Sequence, residues 1–281
     1  LVYYARFSCQ DAPYTFQPVT DTTVAYPGAN SDGCAVIGKI PCIYEIQQTE
    51  SPSKKPGRCN ECLATDVLAQ PVKELFDEGH EPRIYAKIDG TCTFVHLVDG
   101  VPLLCLRRDL RIPTSGKNEG RYVSKKGRPA KKPDGWFSFA DKPDYADHTT
   151  HKGKWAHHIG FIPVCDNDKW ALDALNEDRT EVRMLDQFSP KFTFKWVSLK
   201  DCVGMSFELV GPRIQSDPHG IGTHCLVGHS SIEVAPASLS LESVKEFLRK
   251  EPNIEGIVLH FPKAKKCFKV HRFHLGMEWK H

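Results

Sequence analysis

Two runs of strand-forming residues, Thr91 to Val98 and Val101 to Leu106, are separated only by Asp99-Gly100. A two-residue hairpin turn needs left-handed backbone at both positions, which Asp and Gly tolerate, so this segment predicts an antiparallel pair with little freedom of register. A further strand over Ile84 to Ile88 leads into it and places Lys87 where that strand hands over to the hairpin. Later stretches alternate with a period of two: Phe192 to Val197, Val203 to Val210, Ile254 to His260 and Cys267 to His271. Ile40 to Ile46 reads as an earlier strand, and Ser51 to Gly57 as a solvated loop. Helical signals are fewer. A short helix is expected around Trp170 to Leu175 with Asp168 as its cap, and a second after Ser240, where Leu241, Val244, Phe247 and Leu248 form one apolar stripe that stops before Pro252. Strands joined by hairpins, with few helices, predict an α+β fold of antiparallel sheets.

Residues 1 to 38 are polar and turn-rich and read as an N-terminal extension, and 39 to 281 as one domain. The 40% hydrophobic content is enough for a sizeable core in a chain of 281 residues. With 37 basic and 35 acidic residues the net charge is only +2, so any nucleic-acid surface must be local. The basic stretch from Arg107 to Lys132, rich in Pro and Gly, is the one place where cations gather, and it reads as a loop able to grip phosphates or simply to be solvated. Eleven cysteines without a small-scaffold spacing suggest reduced thiols and a cytoplasmic or nuclear setting. No run approaches the ~20 apolar residues that cross a bilayer, so no membrane association is expected. Cys59-Asn60-Glu61-Cys62 has the spacing of half a zinc site but no matching second pair, and His157, His158 and His219 read as surface or loop histidines.

Four short pieces carry chemistry. Lys87-Ile88-Asp89-Gly90 puts a lysine at a strand end with a glycine that lets a ligand approach the backbone. Glu208 stands inside the apolar strand Phe207 to Val210, and Glu255 begins the β-branched run Gly256-Ile257-Val258. Charges are seldom buried unpaired, so each glutamate needs a partner. Lys269 and His271 fall on one face of the last strand. Singly, each has a bland reading: a surface lysine at a turn, a satisfied edge carboxylate, an exposed basic strand.

Together and in this order they resemble the nucleotidyl motifs of the ATP-dependent ligase and capping-enzyme superfamily. The segments Thr91-Cys92, Asp217-Pro218-His219-Gly220-Ile221-Gly222, Ile254 to Val258 with His260, and Lys269-Val270-His271-Arg272-Phe273-His274-Leu275-Gly276 resemble the vertebrate-type RNA ligase that joins 5′-phosphate to 3′-hydroxyl ends. The resemblance runs from about Pro41 to the end, and its last string has no evident structural reason to exist. It implies the nucleotidyltransferase (ATP-grasp-like adenylation) domain of ligases without a C-terminal OB barrel, since only nine residues follow Arg272. It further implies ATP as the nucleotide, Mg2+ (or Mn2+) held by Glu208 and Glu255, and a covalent lysyl-AMP on Lys87, with Lys269 as the second catalytic group. The nucleotide pocket it implies comprises Ala86, Asp89, Gly90, Arg107, Glu208, Glu255, Lys269 and His271, and the partner is RNA with 5′-phosphate and 3′-hydroxyl ends, joined by a monomer.

Attack on ATP requires the neutral amine, whereas a free lysine titrates near ~10.4, so a lowered Lys87 pKa is expected from desolvation, from Lys269 and from a bound divalent metal. Two departures from the superfamily stand out. His271 replaces a second lysine, which makes phosphate binding sensitive to pH, and Ala86 replaces a glutamate, which leaves adenine to backbone groups. The alternatives are an inactive RNA-binding module that kept the fold, and a truncated DNA ligase or capping guanylyltransferase.

Overall fold

The computed structural model describes residues 38–52, 60–113, 116–123, 129–139, 155–188 and 191–280. Along the chain come β1 (Tyr44–Pro52), β2 (Asn60–Leu68), α1 (Gln70–Asp77), β3 (Arg83–Lys87), β4 (Thr91–Val98), β5 (Val101–Arg107) and β6 (Leu110–Pro113). There follow β7 (Trp155–His158), β8 (Phe161–Pro163), α2 (Lys169–Asp173), β9 (Glu181–Gln187), β10 (Thr193–Ser198), β11 (Ser206–Val210), β12 (Cys225–Gly228), α3 (Leu241–Lys250), β13 (Gly256–Phe261) and β14 (Lys266–His271). The architecture is α+β. A seven-stranded sheet has the order β10-β9-β12-β11-β4-β5-β8, and a three-stranded sheet the order β14-β13-β3. All their pairings are antiparallel except β12 with β9.

The hairpin forms as its turn chemistry requires. Asp99 and Gly100 both have positive φ, 51° and 79°, and β4 pairs with β5 from Val98↔Val101 to Thr93↔Leu106. One face of the smaller sheet, with Ile257, Leu259 and Val270, packs on Val72 and Leu75 of α1 and Val244 and Leu248 of α3. Full burial of each such aliphatic side chain contributes about 1.5–3 kcal/mol. The larger sheet buries Val95, Phe207, Leu209 and Leu226 on one face. Its other face meets the smaller sheet through Val210, Val227 and Leu185 against Ile88. Beside this contact β3 ends at Lys87, and the junction of the two sheets at that point is the candidate cleft.

Several boundaries differ from expectation. β1 starts later than read and continues through Pro52, since its edge finds β2 as a partner down to Pro52↔Asn60. β11 begins only at Ser206, because Gly204 turns at φ 82° and sends its N–H to Val95 O at 2.9 Å. Helix α1 was not legible: at eight residues it is too short for a periodic stripe, although Val72 and Leu75 are fully buried. Ser240 caps α3 through Ser243 N–H at 3.3 Å. Asp168 occupies the cap position of α2, but its carboxylate accepts from Cys165 N–H at 3.0 Å and from Arg108 at 3.2 Å instead of the helix amides. The basic stretch is not wholly loop, since Leu110–Pro113 pairs with Trp155–His158. The expected extension, apart from Gly38, and Cys59 lie outside the described residues.

Arg272 supplies a structural reason for part of the C-terminal string. Its guanidinium donates to Leu248 O (2.5 Å), Glu251 O (2.8 Å) and Ile254 O (2.9 Å), closing the carbonyl end of α3. Arg272→Ala leaves buried carbonyls without donors and should destabilise the protein by about 3 kcal/mol, read as a lower urea midpoint at unchanged slope. A midpoint within error of wild type would show that water replaces the guanidinium at no cost.

Candidate active site

The turn after β3 is held by residues distant in sequence. Asp89 N–H donates to His219 Nε2 at 2.9 Å, while His219 Nδ1 is 2.7 Å from Asn253 O, which fixes Nδ1 as the protonated ring nitrogen. The indole N–H of Trp279 donates to Asp89 Oδ2 at 2.9 Å. Gly90 N–H donates to Glu208 Oε1 at 3.1 Å. A side chain at Gly90 is excluded, because a Cβ there would lie 2.3 Å from Leu209 O. His219 is therefore not a surface histidine: it is 2% exposed, and its loop is pinned by Asp217, whose carboxylate accepts from Ile221 N–H (3.0 Å) and Gly222 N–H (2.9 Å). His158 is likewise buried, with its Nδ1 3.2 Å from the Tyr122 hydroxyl.

Lys87 closes β3 opposite Gly256, and Glu255 N–H donates to Lys87 O at 3.1 Å, so the two backbones are fixed side by side. On its other side Gly256 is required for the close approach of β14, since a Cβ there would lie 2.0 Å from Val270 O. The Lys87 ammonium donates to Glu255 Oε2, and Glu255 is 3% exposed. Burial by itself pushes the lysine's pKa down, but the charges of Glu255, Glu208 and Asp89 and the hydrogen bond to Glu255 outweigh it, leaving Lys87 above the ordinary lysine value. Desolvation alone therefore does not give the expected lowering, because carboxylates surround the amine and burial does not win against them.

Glu208 sits opposite Cys92 on β4 and Val227 on β12. Its Oε2 is 3.0 Å from His229 Nε2, and His229 Nδ1 is oriented by the Ser206 hydroxyl at 2.8 Å. Donor atoms of Cys92, Glu208 and His229 lie within 4.8 Å of one another. Burial pushes the Cys92 thiol up to about 12. Arg107, at the end of β5, grips Asp109 with two bonds of 2.8 and 2.9 Å and adds its charge near Cys92. The oxygens of Glu208 and Glu255 fit a hard divalent ion such as magnesium. Cys92 and His229 add softer donors beside Glu208.

On the smaller sheet, Val270 and Ile257 point to the core, so Lys87, Lys269 and His271 share the opposite face, the one turned to the cleft. His271 is 2% exposed and stacks on His274 with ring centroids 3.6 Å apart. Ala86 turns its methyl to the core, and its N–H already donates to Ile232 O at 2.8 Å. Of the groups expected from sequence, Lys87, Asp89, Gly90, Glu208, Glu255 and Arg107 thus gather at one end of the cleft. His219, His229 and Trp279 were not foreseen in these positions. Asp217-Pro218-His219-Gly220 was visible as part of a resemblance, but no local period reveals that its imidazole reaches residue 89.

Among the described residues no helix is long and apolar enough to cross a membrane. A family model described as RNA ligase 1 matches residues 32–281. The chain is similar to a Danio rerio protein named RNA ligase 1, 25% identical over 272 residues covering 86% of this chain and 81% of that one. It is also similar to proteins of the same name from Pongo abelii, at 27% over the same shares, and from Rattus norvegicus, at 24% over 269 residues and again 86% and 81%. With nine-tenths of its length inside the family match, the chain belongs to the RNA ligase 1 family.

Proposed function

We propose that this chain is an ATP-dependent RNA ligase, a phosphoric-ester-forming enzyme that carries AMP on Lys87 and uses it to join an RNA 5′-phosphate to a 3′-hydroxyl. The observation that carries this reading is the Lys87 amine, delivered by a strand end into the cleft, in contact with Glu255 and in the field of Glu208. Residues 39–281 act as one adenylation domain of the nucleotidyltransferase type and work as a monomer.

In the first step Nζ loses a proton and attacks the α-phosphorus of ATP; the N–P bond forms, the bond to the bridging oxygen breaks, and pyrophosphate leaves. Glu255, already on Nζ, is the group placed to take the proton. Because Glu255 and Glu208 hold Lys87 protonated, the amine becomes a nucleophile only once its proton has passed to Glu255. Glu208 and Glu255 would hold magnesium, or manganese in its place, and the ion would supply positive charge against the phosphates. Lys269, on the same sheet face, offsets charge developing on the α-phosphate, while Ala86, Asp89, Gly90, Arg107 and His271 complete the nucleotide's surroundings. AMP then passes to the RNA 5′-phosphate, forming a pyrophosphate linkage, and the 3′-hydroxyl oxygen attacks that phosphorus and releases AMP. Both later steps depend on positioning and charge neutralisation.

A merely structural Lys87–Glu255 pair, as in an inactive RNA-binding module, predicts no covalent product. Intact mass measurement after incubation with ATP and magnesium should show a gain of one AMP, removed by adding pyrophosphate. Folded protein that gains no mass with either magnesium or manganese would sink the reading.

A further inference from the structure

β10 ends the seven-stranded sheet, and strand pairing shows which face its side chains occupy. Glu208 lies opposite Val227, and the parallel pair Leu226↔Met184 sets Val227 beside Leu185 and Cys225 beside Arg183. Arg183 in turn faces Trp196, and Leu185 faces Phe194. Cross-strand partners point the same way, so Phe194, Trp196 and Arg183 share the face that carries Glu208 and looks toward Lys87. Three strand spacings, about 14 Å, separate Phe194 from Glu208, and Trp196 lies two residues further along β10.

Nearer the site this face is covered, with Leu185, Cys225 and Val227 packed on Ile88. At β10 the cover ends: Phe194 is 36% and Trp196 46% exposed. Single exposed apolar residues are ordinary. Two aromatic rings on alternate positions of one strand, roughly 7 Å apart along it, are a different object. Trp196 is also backed by a cation, the Arg183 guanidinium 5.0 Å from its ring centroid. That guanidinium is anchored by Asp173 O (3.1 Å), Thr223 Oγ1 (3.1 Å) and His224 O (3.0 Å), so it stiffens the ring without needing a phosphate. Lys191 and Lys200 lie exposed at either end of the strand, while Lys195, between the rings in sequence, points to the opposite face and pairs with Asp186 at 2.6 Å. Flat rings with cations around them suit unpaired nucleobases, whose faces stack while their phosphates seek positive charge. An apolar protein partner has no use for the flanking lysines.

We propose that Phe194 and Trp196, with Arg183 behind Trp196, form a stacking platform for unpaired bases of the RNA, a few nucleotides from the end being joined. The proposal rests on the RNA ligase reading and adds a place where the single strand is held. The test uses the full chain with Phe194→Ala and Trp196→Ala combined, and Trp196→Phe alone. Lysyl-AMP formation, measured without RNA, should match wild type and reports an intact fold. Affinity for a single-stranded RNA oligonucleotide, by fluorescence anisotropy at fixed salt, should fall about 5- to 150-fold per stacked base, and Trp196→Phe should keep most of it. The KM for single-stranded substrates should rise in parallel, with kcat little changed. Unchanged RNA affinity in a double variant that still takes AMP overturns the proposal, as does a wild-type dimer that the double variant turns into a monomer, since the rings would then face a second copy. Failure of wild type to take AMP would instead fault the ligase reading, while the anisotropy comparison would still judge the platform.

Discussion

Lys87→Ala and Lys87→Arg should both yield no AMP adduct in intact mass spectra, a complete loss that nothing else in the cleft can compensate. The two substitutions differ in what they leave behind. Alanine strands the Glu255 carboxylate, 3% exposed, without its cation, and breaking a buried pair in this way costs about 3–5 kcal/mol. Arginine keeps a permanent positive charge beside Glu255 and cannot serve as a nucleophile near neutral pH. Loss of the adduct in Lys87→Arg with a near wild-type urea midpoint therefore isolates chemistry from folding. An adduct of normal yield on either variant, mapped to another lysine, would remove the central claim.

Glu255→Gln should lower adenylation by about 100-fold or more, because the proton acceptor on Nζ is gone. It should also move the pH dependence in a definite direction. In wild type the carboxylates raise the Lys87 pKa, so the fraction of neutral amine, and with it the rate, climbs with pH well into the alkaline range. Removing Glu255's charge takes away the largest influence that raises the pKa and leaves burial, which lowers it, so the rising limb should shift to lower pH even as the maximum falls. Stability follows the opposite sign. A lysine whose folded pKa is raised contributes stability that is fully present below its unfolded value of ~10.4 and is lost as pH rises through the folded value. The loss of stability in Glu255→Gln should thus be constant from about pH 6 to 9, toward the lower end of the 3–5 kcal/mol for a broken buried pair because the amide oxygen still accepts from Nζ. A limb that stays in place would mean that Glu255 does not set the Lys87 proton.

What was legible in the sequence was what is encoded locally. The Asp99-Gly100 turn, the alternation through β13 and β14, and the Ser240 cap each depend on a few adjacent residues, and each formed where it was read. That Lys87, Glu208 and Glu255 come together followed from the resemblance, but the Lys87–Glu255 pair did not, since both acids were there assigned to the metal. The rest is encoded at long range. His219 reads as an exposed loop residue because its neighbours are Pro218 and Gly220, yet it is buried by Phe188 and Trp279 and bonds to a backbone 130 residues away. The sign of the Lys87 shift likewise escaped, since it depends on three carboxylates from separate segments weighed against burial. Arg272 stood in the string that carries the resemblance without a role of its own, and it is spent on the end of α3.

The partners that fix residues 87–90 lie 118 to 190 positions further along the chain, at Glu208, His219, Glu255 and Trp279. On a ribosome these arrive last. A nascent chain can close the Asp99-Gly100 hairpin early, since both strands are adjacent, but the amine has no acid beside it until Glu255 has emerged and no settled turn until Trp279 has followed. On the ligase reading, transfer of AMP to Lys87 would therefore wait for a chain in which these long-range contacts have closed.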